Sequence, residues 1–302
     1  MVAGPLAEEL RRRLGECSPA ERKVGRVLLA GWPAAGFETV ATLADRAAVS
    51  APTVLRFLGR IGYRGMPDFQ AALRTELDAR NASPLTLYDA GVLGTPAEDA
   101  ADRSAASGEP AVDAATLLQH SSAVFSAAVA RSLAETPPHD LEHAIRLLAD
   151  RKRRVTLAGG RFTQLLAQYL GLHLMQLRDD VRFLPDRDVE RTAVLTALTR
   201  RDILVIFDYR RYEDDKVTIA ELLREQGGKV VLFTDAWLSP VATHADVVLP
   251  SQVAAPSSPY DSLVPTLAVV ETVVAGIVRA LGEEGHARMQ RGEETARRAG
   301  LY

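Results

Sequence analysis

Residues 40–65 read VATLADRAAVSAPTVLRFLGRIGYRG, and their apolar spacing describes two short helices joined by a tight turn. Leu43, Ala44 and Ala47 place one apolar face on the first helix. Ala48 and Val49 supply the turn, with Val49 apolar where the helices must pack. Ser50 stands where it can cap the second helix, and Pro52 falls in its first turn, where a missing N–H leaves no bond unmade. Val54, Phe57, Leu58 and Ile61 form the buried face of that helix. The opposite face then presents Ser50, Ala51, Thr53 and Arg56 near its start, and Arg60 near its end. Short polar groups and an arginine at a helix N-terminus can reach base edges in a major groove, which makes the first four the expected base readers. Arg60, Tyr63 and Arg64 are expected to hold phosphates, contacts that orient a helix without reading sequence. Taken alone, the pattern also fits an ordinary amphipathic helix pair, because helix-turn-helix geometry carries no invariant residue code.

Outward from this segment, residues 5–80 read as helices throughout. Ser18-Pro19-Ala20-Glu21 is a capping box, and Val24, Val27 and Leu28 follow at helical spacing. Residues 1–80 hold 12 Lys and Arg against 9 Asp and Glu, a net of +3, whereas the remainder holds 24 against 30, a net of −6. A basic head on an acidic body is expected when one end alone meets phosphates, although a solvated helical face produces it too. The stretch from Cys17 to Leu77 resembles the N-terminal domain of RpiR-type (MurR/RpiR) transcriptional regulators. It does so through CSPAER, Leu43-Ala44, Ala47, Val49-Ser50, Thr53-Val54, Arg56-Phe57 and Gly62-Tyr63-Arg64-Gly65 in order. The resemblance implies a double-stranded DNA operator as partner.

Residues 81–110 are rich in Ala, Ser and Gly, with five acids against one Arg, and are expected to form a linker. A helix is predicted over Asp113–Ala134, ended by Thr136-Pro137-Pro138. Residues 111–302 then form a second domain, with its core at about 138–284. Strands are predicted at Arg154–Ala158, Val181–Leu184, Ile203–Phe207, Lys229–Phe233 and Val247–Leu249. Between and after them lie helical stretches at Thr163–Leu177, Val189–Leu198, Asp214–Gln226 and Pro265–Leu281. Short apolar strands alternating with helices mean a five-stranded parallel sheet with helices on both faces. The fold class is therefore an all-α helix-turn-helix domain followed by an α/β domain.

Strand one runs into Gly159-Gly160-Arg161-Phe162-Thr163, a turn whose N–H groups and following helix start face an anion. Leu141–Leu281 resembles the sugar-isomerase-like (SIS) domain of the same regulators. The best match is Val230–Asp235, Ser239-Pro240-Val241-Ala242 and Ala245–Leu249. That resemblance implies an effector site at Gly159, Gly160, Arg161 and Thr163 and in the loop after strand three, with self-association as a homodimer or homotetramer. Two departures matter. The second glycine of the family's Gly-x-Gly-x-Ser is Arg161, and Ser-x-Ser-Gly-Glu-Thr is replaced by Asp208-Tyr209-Arg210-Arg211-Tyr212-Glu213. Loss of the hydroxyls and gain of arginines point to a small anionic effector, a sugar phosphate or carboxylate, held by charge-assisted contacts from Arg161, Arg210 or Arg211. The competing reading pairs Asp208 and Glu213 with Arg210 and Arg211 as a structural network or subunit contact. Asp261 and Ser262, in a Tyr260-Asp261-Ser262 run, are further effector candidates through the resemblance.

Cys17, the single cysteine, excludes an internal disulfide framework and fits a reducing cytoplasm. No apolar run reaches the ~20 residues of a membrane span, and no membrane partner is expected. His139-Asp140-Leu141-Glu142-His143 is a literal H-x-x-E-H, but Leu141, Ile145 and Leu148 make its helix a sheet cover, and no metal, cofactor or catalytic residue is expected. GxGxxG, a Walker loop and a nucleophile elbow are absent. Two alternatives stay open: a sugar-phosphate isomerase or lyase, since the fold also serves enzymes, and a regulator whose second domain only oligomerises. One short helix makes few base contacts, so an inverted-repeat operator read by at least a dimer is expected.

Overall fold

The start of the chain folds by local helix signals. In a computed structural model describing residues 6–81, 83–89, 113–253, 255 and 258–301, the first elements are α1 (Leu6–Arg13), α2 (Pro19–Ala30), α3 (Val40–Ala47), α4 (Ala51–Arg60) and α5 (Met66–Asn81). The capping box closes α2: Ser18 N donates to Glu21 Oε2 at 2.8 Å, and Glu21 N donates to Ser18 Oγ at 3.4 Å. Helix α3 starts with Thr39 Oγ1 accepting from Thr42 N and stops at Ala48, whose φ of 49° is left-handed. Val49 N then reaches back to Ala44 O at 2.9 Å, a Schellman closure that fixes the turn. At the end of α4 the same closure runs from Tyr63 N to Leu58 O, and Gly62 (φ 99°) takes the conformation a side chain would resist. Leu43, Ala44, Ala47, Val54, Phe57, Leu58 and Ile61 join Val24, Leu28 and Phe69 in one core.

The chain divides into two units, Met1–Ala82 and Ser83–Tyr302. Within the expected linker, Pro84–Asp89 forms a short helix, α6, because Ser83 Oγ accepts from Thr86 N at 3.0 Å and caps its open end. The rest of that expectation, residues 90–110, lies outside the described residues. Next come α7 (Ala114–Glu135), opened by Asp113 accepting from Ala115 N, and α8 (Pro138–Ala149).

Five parallel strands follow: β1 (Arg154–Gly159), β2 (Val181–Phe183), β3 (Asp202–Phe207), β4 (Lys229–Asp235) and β5 (Val247–Ser251). The helices between and after them are α9 (Gln164–Leu177), α10 (Asp188–Thr196), α11 (Asp214–Glu225) and α12 (Val264–Arg298). Strand order is β2-β1-β3-β4-β5, with Val155 beside Val181 on one flank and Ile203 on the other. Alternation decides the layers. Val155, Leu157, Ile203, Val205, Phe207, Val231 and Phe233 face α8, α9 and α12, while Leu204, Ile206, Val230 and Leu232 face α11 and Leu198. β3 is buried along its whole length, and from Ile203 to Phe207 it is an unbroken apolar run, as a central strand requires.

α12 departs from expectation twice. It continues past Leu281 through a non-helical Gly282, and its first half is long and apolar enough by composition to cross a bilayer. Val269, Val270, Val273 and Ile277 are nevertheless buried against the sheet, where a core helix of this composition belongs.

Candidate functional site

Two regions carry the functional candidates. On α4, Ser50 occupies the N-cap position, but its hydroxyl meets Thr53 Oγ1 at 3.0 Å and makes no bond to a backbone N–H. Thr53 is only 6% exposed, which corrects its assignment to the reading face. Its Oγ1 also accepts from Arg56 Nη2 at 3.0 Å, so Thr53 aims Arg56 from below. Helical phase puts Ala51, Leu55, Arg56 and Arg60 outward, and Leu55, absent from the sequence reading, is 48% exposed there. An exposed apolar side chain between Ala51 and Arg56 suits contact with a thymine methyl group.

Arg60 Nε lies 3.0 Å from Glu21 Oε2, tying α4 to the capping box of α2. Hydrogen bonds from Ser18 outweigh burial and hold the Glu21 carboxyl below its usual range. Arg60 is therefore anchored at one edge of its fork while the rest remains in solvent. Arg64, with 92% of its side chain exposed, sits 3.5 Å from Asp68, and Tyr63 packs edge-on against Phe69 at 5.2 Å.

In the second unit, a cleft of about 330 Å³ opens at the C-terminal ends of β1 and β3, lined by Gly159, Gly160, Arg161, Gln164, Asp186, Arg191, Glu213, Asp215 and Lys216 among others. Gly159 allows the loop to fold onto α9: a Cβ there would stand 2.4 Å from Gln164 N. Its own N–H donates to Gln164 Oε1 at 2.9 Å. Thr163 Oγ1 accepts from Gly160 N at 2.8 Å and donates to the Phe207 carbonyl at 2.9 Å, which leaves this buried hydroxyl occupied inside the protein. Thr163 thus shapes the loop and does not face the cleft. The N–H groups of Arg161, Phe162 and Thr163 meet no acceptor among the described residues. Arg161 is exposed at the rim and has no ion pair among them.

The arginines of the loop after β3 go elsewhere. Arg210 and Arg211 both pair with Asp261, Arg211 at 3.1 Å, and Arg210 lies over the Trp237 ring at 5.5 Å. This corrects both readings of the sequence: neither arginine lines the cleft, and neither pairs with Asp208 or Glu213. Left-handed backbone at Arg211 (φ 67°) turns the loop toward Asp261. Ser262 is buried as well, and its Oγ accepts from Val264 N at the start of α12.

Asp208, also buried, accepts from Ser239 Oγ and from Glu213 N at 3.3 Å. Burial pushes its carboxyl up to about 6, against the pull of those bonds. Asp235 accepts from Tyr212 Oη at 2.7 Å, Trp237 N at 2.9 Å and Arg210 N, and burial raises its pKa too. These two aspartates build the loop. Glu213 does reach the cleft, where it holds the Lys216 ammonium at 2.7 Å; Asp215 bonds the same ammonium at 3.1 Å and pairs with Arg191. Lys216 is only 4% exposed. Lys216 and Arg191 escaped the sequence reading because they belong to other helices and no local motif marks them. His139 of the H-x-x-E-H run is exposed on the first turn of α8 beside Asp140 at 3.6 Å.

Comparison with known proteins agrees with both halves. A family description for the helix-turn-helix domain, rpiR family, matches residues 4–80, and one for the SIS domain matches residues 147–276. The HTH-type transcriptional regulator HexR of Pseudomonas aeruginosa is 27% identical over 294 residues, 96% of this chain and 95% of that one. HexR of Escherichia coli K12 is 25% identical over 292 residues, covering 96% and 93%. Among solved structures, the sugar isomerase domain of an RpiR transcription factor from Sphaerobacter thermophilus aligns at TM-score 0.53 and 25% identity, covering 56% of this chain and 94% of that one. The E. coli CFT073 protein c3406, solved in complex with A5P, aligns at TM-score 0.50 and 17% identity over 60% of this chain and 97% of that one, which shows the shared fold. Fold and sites together define a transcriptional regulator that joins a DNA-binding helix-turn-helix to a SIS domain. Its two domains, in this order, are those of an RpiR-type regulator, with the rpiR-family match carried by residues 4–80.

Proposed function

We propose that this regulator senses a small anionic metabolite, a sugar phosphate or carboxylate, in the cleft beside Gly159–Arg161, and that occupancy changes operator affinity. One observation carries the reading: Arg161, without an ion pair among the described residues, lines the cleft beside Gly160 in the loop that leads into α9, and its own N–H meets no acceptor there. An anion there replaces lost water with fixed donors. It also competes with Glu213 for Lys216, and Glu213 is the residue before α11, so exchange at Lys216 is a route for moving that helix. On the DNA side, Ala51, Leu55 and Arg56 read bases, Arg60 and Arg64 hold phosphates, and Ser50, Thr53 and Tyr63 position them. The protein acts in the cytoplasm as a homodimer or homotetramer on an inverted repeat. Exposed Phe162, Leu165, Leu172 and Val264 give the SIS domain an apolar surface for self-association.

Anisotropy on a selected operator, with and without a panel of sugar phosphates and carboxylates, tests the reading. At least one anion shifts wild-type affinity about fivefold or more, the usual lower range of allosteric coupling. Arg161→Glu loses that shift and keeps ligand-free binding. A response only to neutral ligands, or an Arg161→Glu variant that responds like wild type, overturns the anion site.

A further inference from the structure

At the other end of the sheet, where β1 and β3 begin, a second cleft of about 370 Å³ is lined by Asp150, Lys152, Arg153, Arg200 and Arg201. Its one acid, Asp150, is paired with Arg153 at 3.3 Å. Lys152, Arg200 and Arg201 have no ion pair among the described residues. Four cations against one acid stand out in a unit whose overall balance is acidic.

The walls are fixed by the protein itself. Asp202, fully buried, accepts from Thr199 N at 2.8 Å and Thr199 Oγ1 at 2.9 Å, which sets the turn presenting Arg200 and Arg201. Arg201 Nε donates to Lys152 O at 2.9 Å, Arg153 Nη1 donates to Arg200 O at 3.3 Å, and Arg154 N donates to Arg201 O at 3.0 Å. Two short loops are thus stapled crosswise with their cations facing one space. Gathering like charges opposes folding unless a counter-charge joins them. No aromatic or aliphatic residue lines the cleft to hold a base or a sugar ring, so the ligand is recognised by charge and hydrogen-bond acceptors alone.

We infer that this cleft binds a compact polyphosphate group, either a free polyphosphate chain or the phosphate tail of a nucleotide, independently of the effector cleft. The probes are tripolyphosphate, ATP and GTP, titrated calorimetrically into the full-length protein without magnesium. Lys152→Gln/Arg200→Gln weakens tripolyphosphate binding about tenfold or more, the loss expected for two charge-assisted contacts. Lys152→Arg/Arg200→Lys keeps binding within a few-fold, which separates lost charge from lost folding, and Arg161→Gln leaves it unchanged. Tripolyphosphate bound more tightly than both nucleotides identifies a free chain, and equal affinity identifies a nucleotide tail; either supports the site. A tenfold preference between ATP and GTP overturns it, since base recognition has no residue here. Binding lost in Arg161→Gln and retained in the double Gln variant overturns it too, as does competition by duplex DNA with no loss in the double variant.

Discussion

Replacing Asp208 by Asn removes a buried charge while keeping its shape, and the consequence is a change in how stability depends on pH. An unfolded chain releases this proton near 3.8, whereas the folded protein retains it to about 6 because burial disfavours the carboxylate. Between those values the folded state binds the extra proton, so rising pH favours unfolding. The stabilising effect of the neutral carboxyl is full below the unfolded value and is lost as pH passes through the folded one. At ~1.4 kcal/mol per pH unit, the loss is about 3 kcal/mol between roughly pH 4 and pH 7. The Asp208→Asn variant would carry no such loss. Its amide can donate to Ser239 Oγ while its oxygen accepts from Glu213 N, so any packing penalty is the same at every pH. The assay is urea unfolding at fixed protein concentration, followed by Trp237 in a Trp32→Phe background so that only the second unit reports. Subtracting wild type from variant cancels Asp235 and other titrating groups. The difference should move toward the Asn variant by about 3 kcal/mol from acid to neutral pH. A difference that stays flat across this range refutes a buried, proton-retaining Asp208.

Four further outcomes are expected. Arg56→Ala should cost ~1–3 kcal/mol of operator affinity and relax discrimination at one or two base pairs, measured by anisotropy on single-base operator variants. Unchanged affinity would remove α4 from the major groove. Arg60→Ala should weaken binding on every sequence and lower the salt slope by about 1, while Glu21 continues to cap α2. Ala48→Gly relieves a left-handed alanine, so thermal unfolding of the first unit should show a gain of ~0.5–1 kcal/mol. Light scattering should find at least a dimer at micromolar concentration, and a monomer that still binds an inverted repeat would contradict the assembly.

Much of this fold was legible because its signals are local. Period-two and period-3.6 apolar spacing placed all five strands and the main helices, and the unbroken apolar run Ile203–Phe207 announced a strand covered on both faces. Ser18-Pro19-Ala20-Glu21 capped α2 as its residue types require, since a capping box closes within one turn. The turn at Ala48 was legible as well, although its left-handed backbone was not, because alanine gives no warning of it.

What the tertiary structure alone decided are the pairings and the exposures. Thr53 went inward and Leu55 outward because packing against α2 and α3 fixes the phase of α4, and a ten-residue helix leaves that phase uncertain by one position. Arg60 found Glu21 across 39 residues, while Arg210 and Arg211 both found Asp261, Arg211 across 50, which drew two expected effector arginines out of the cleft. Lys216 and Arg191 entered the cleft from helices that no motif distinguishes. Coulomb attraction falls with distance in space and takes no account of separation along the chain, so periodicity can say which face a charge occupies but only the assembled sheet and helices say which opposite charge waits there.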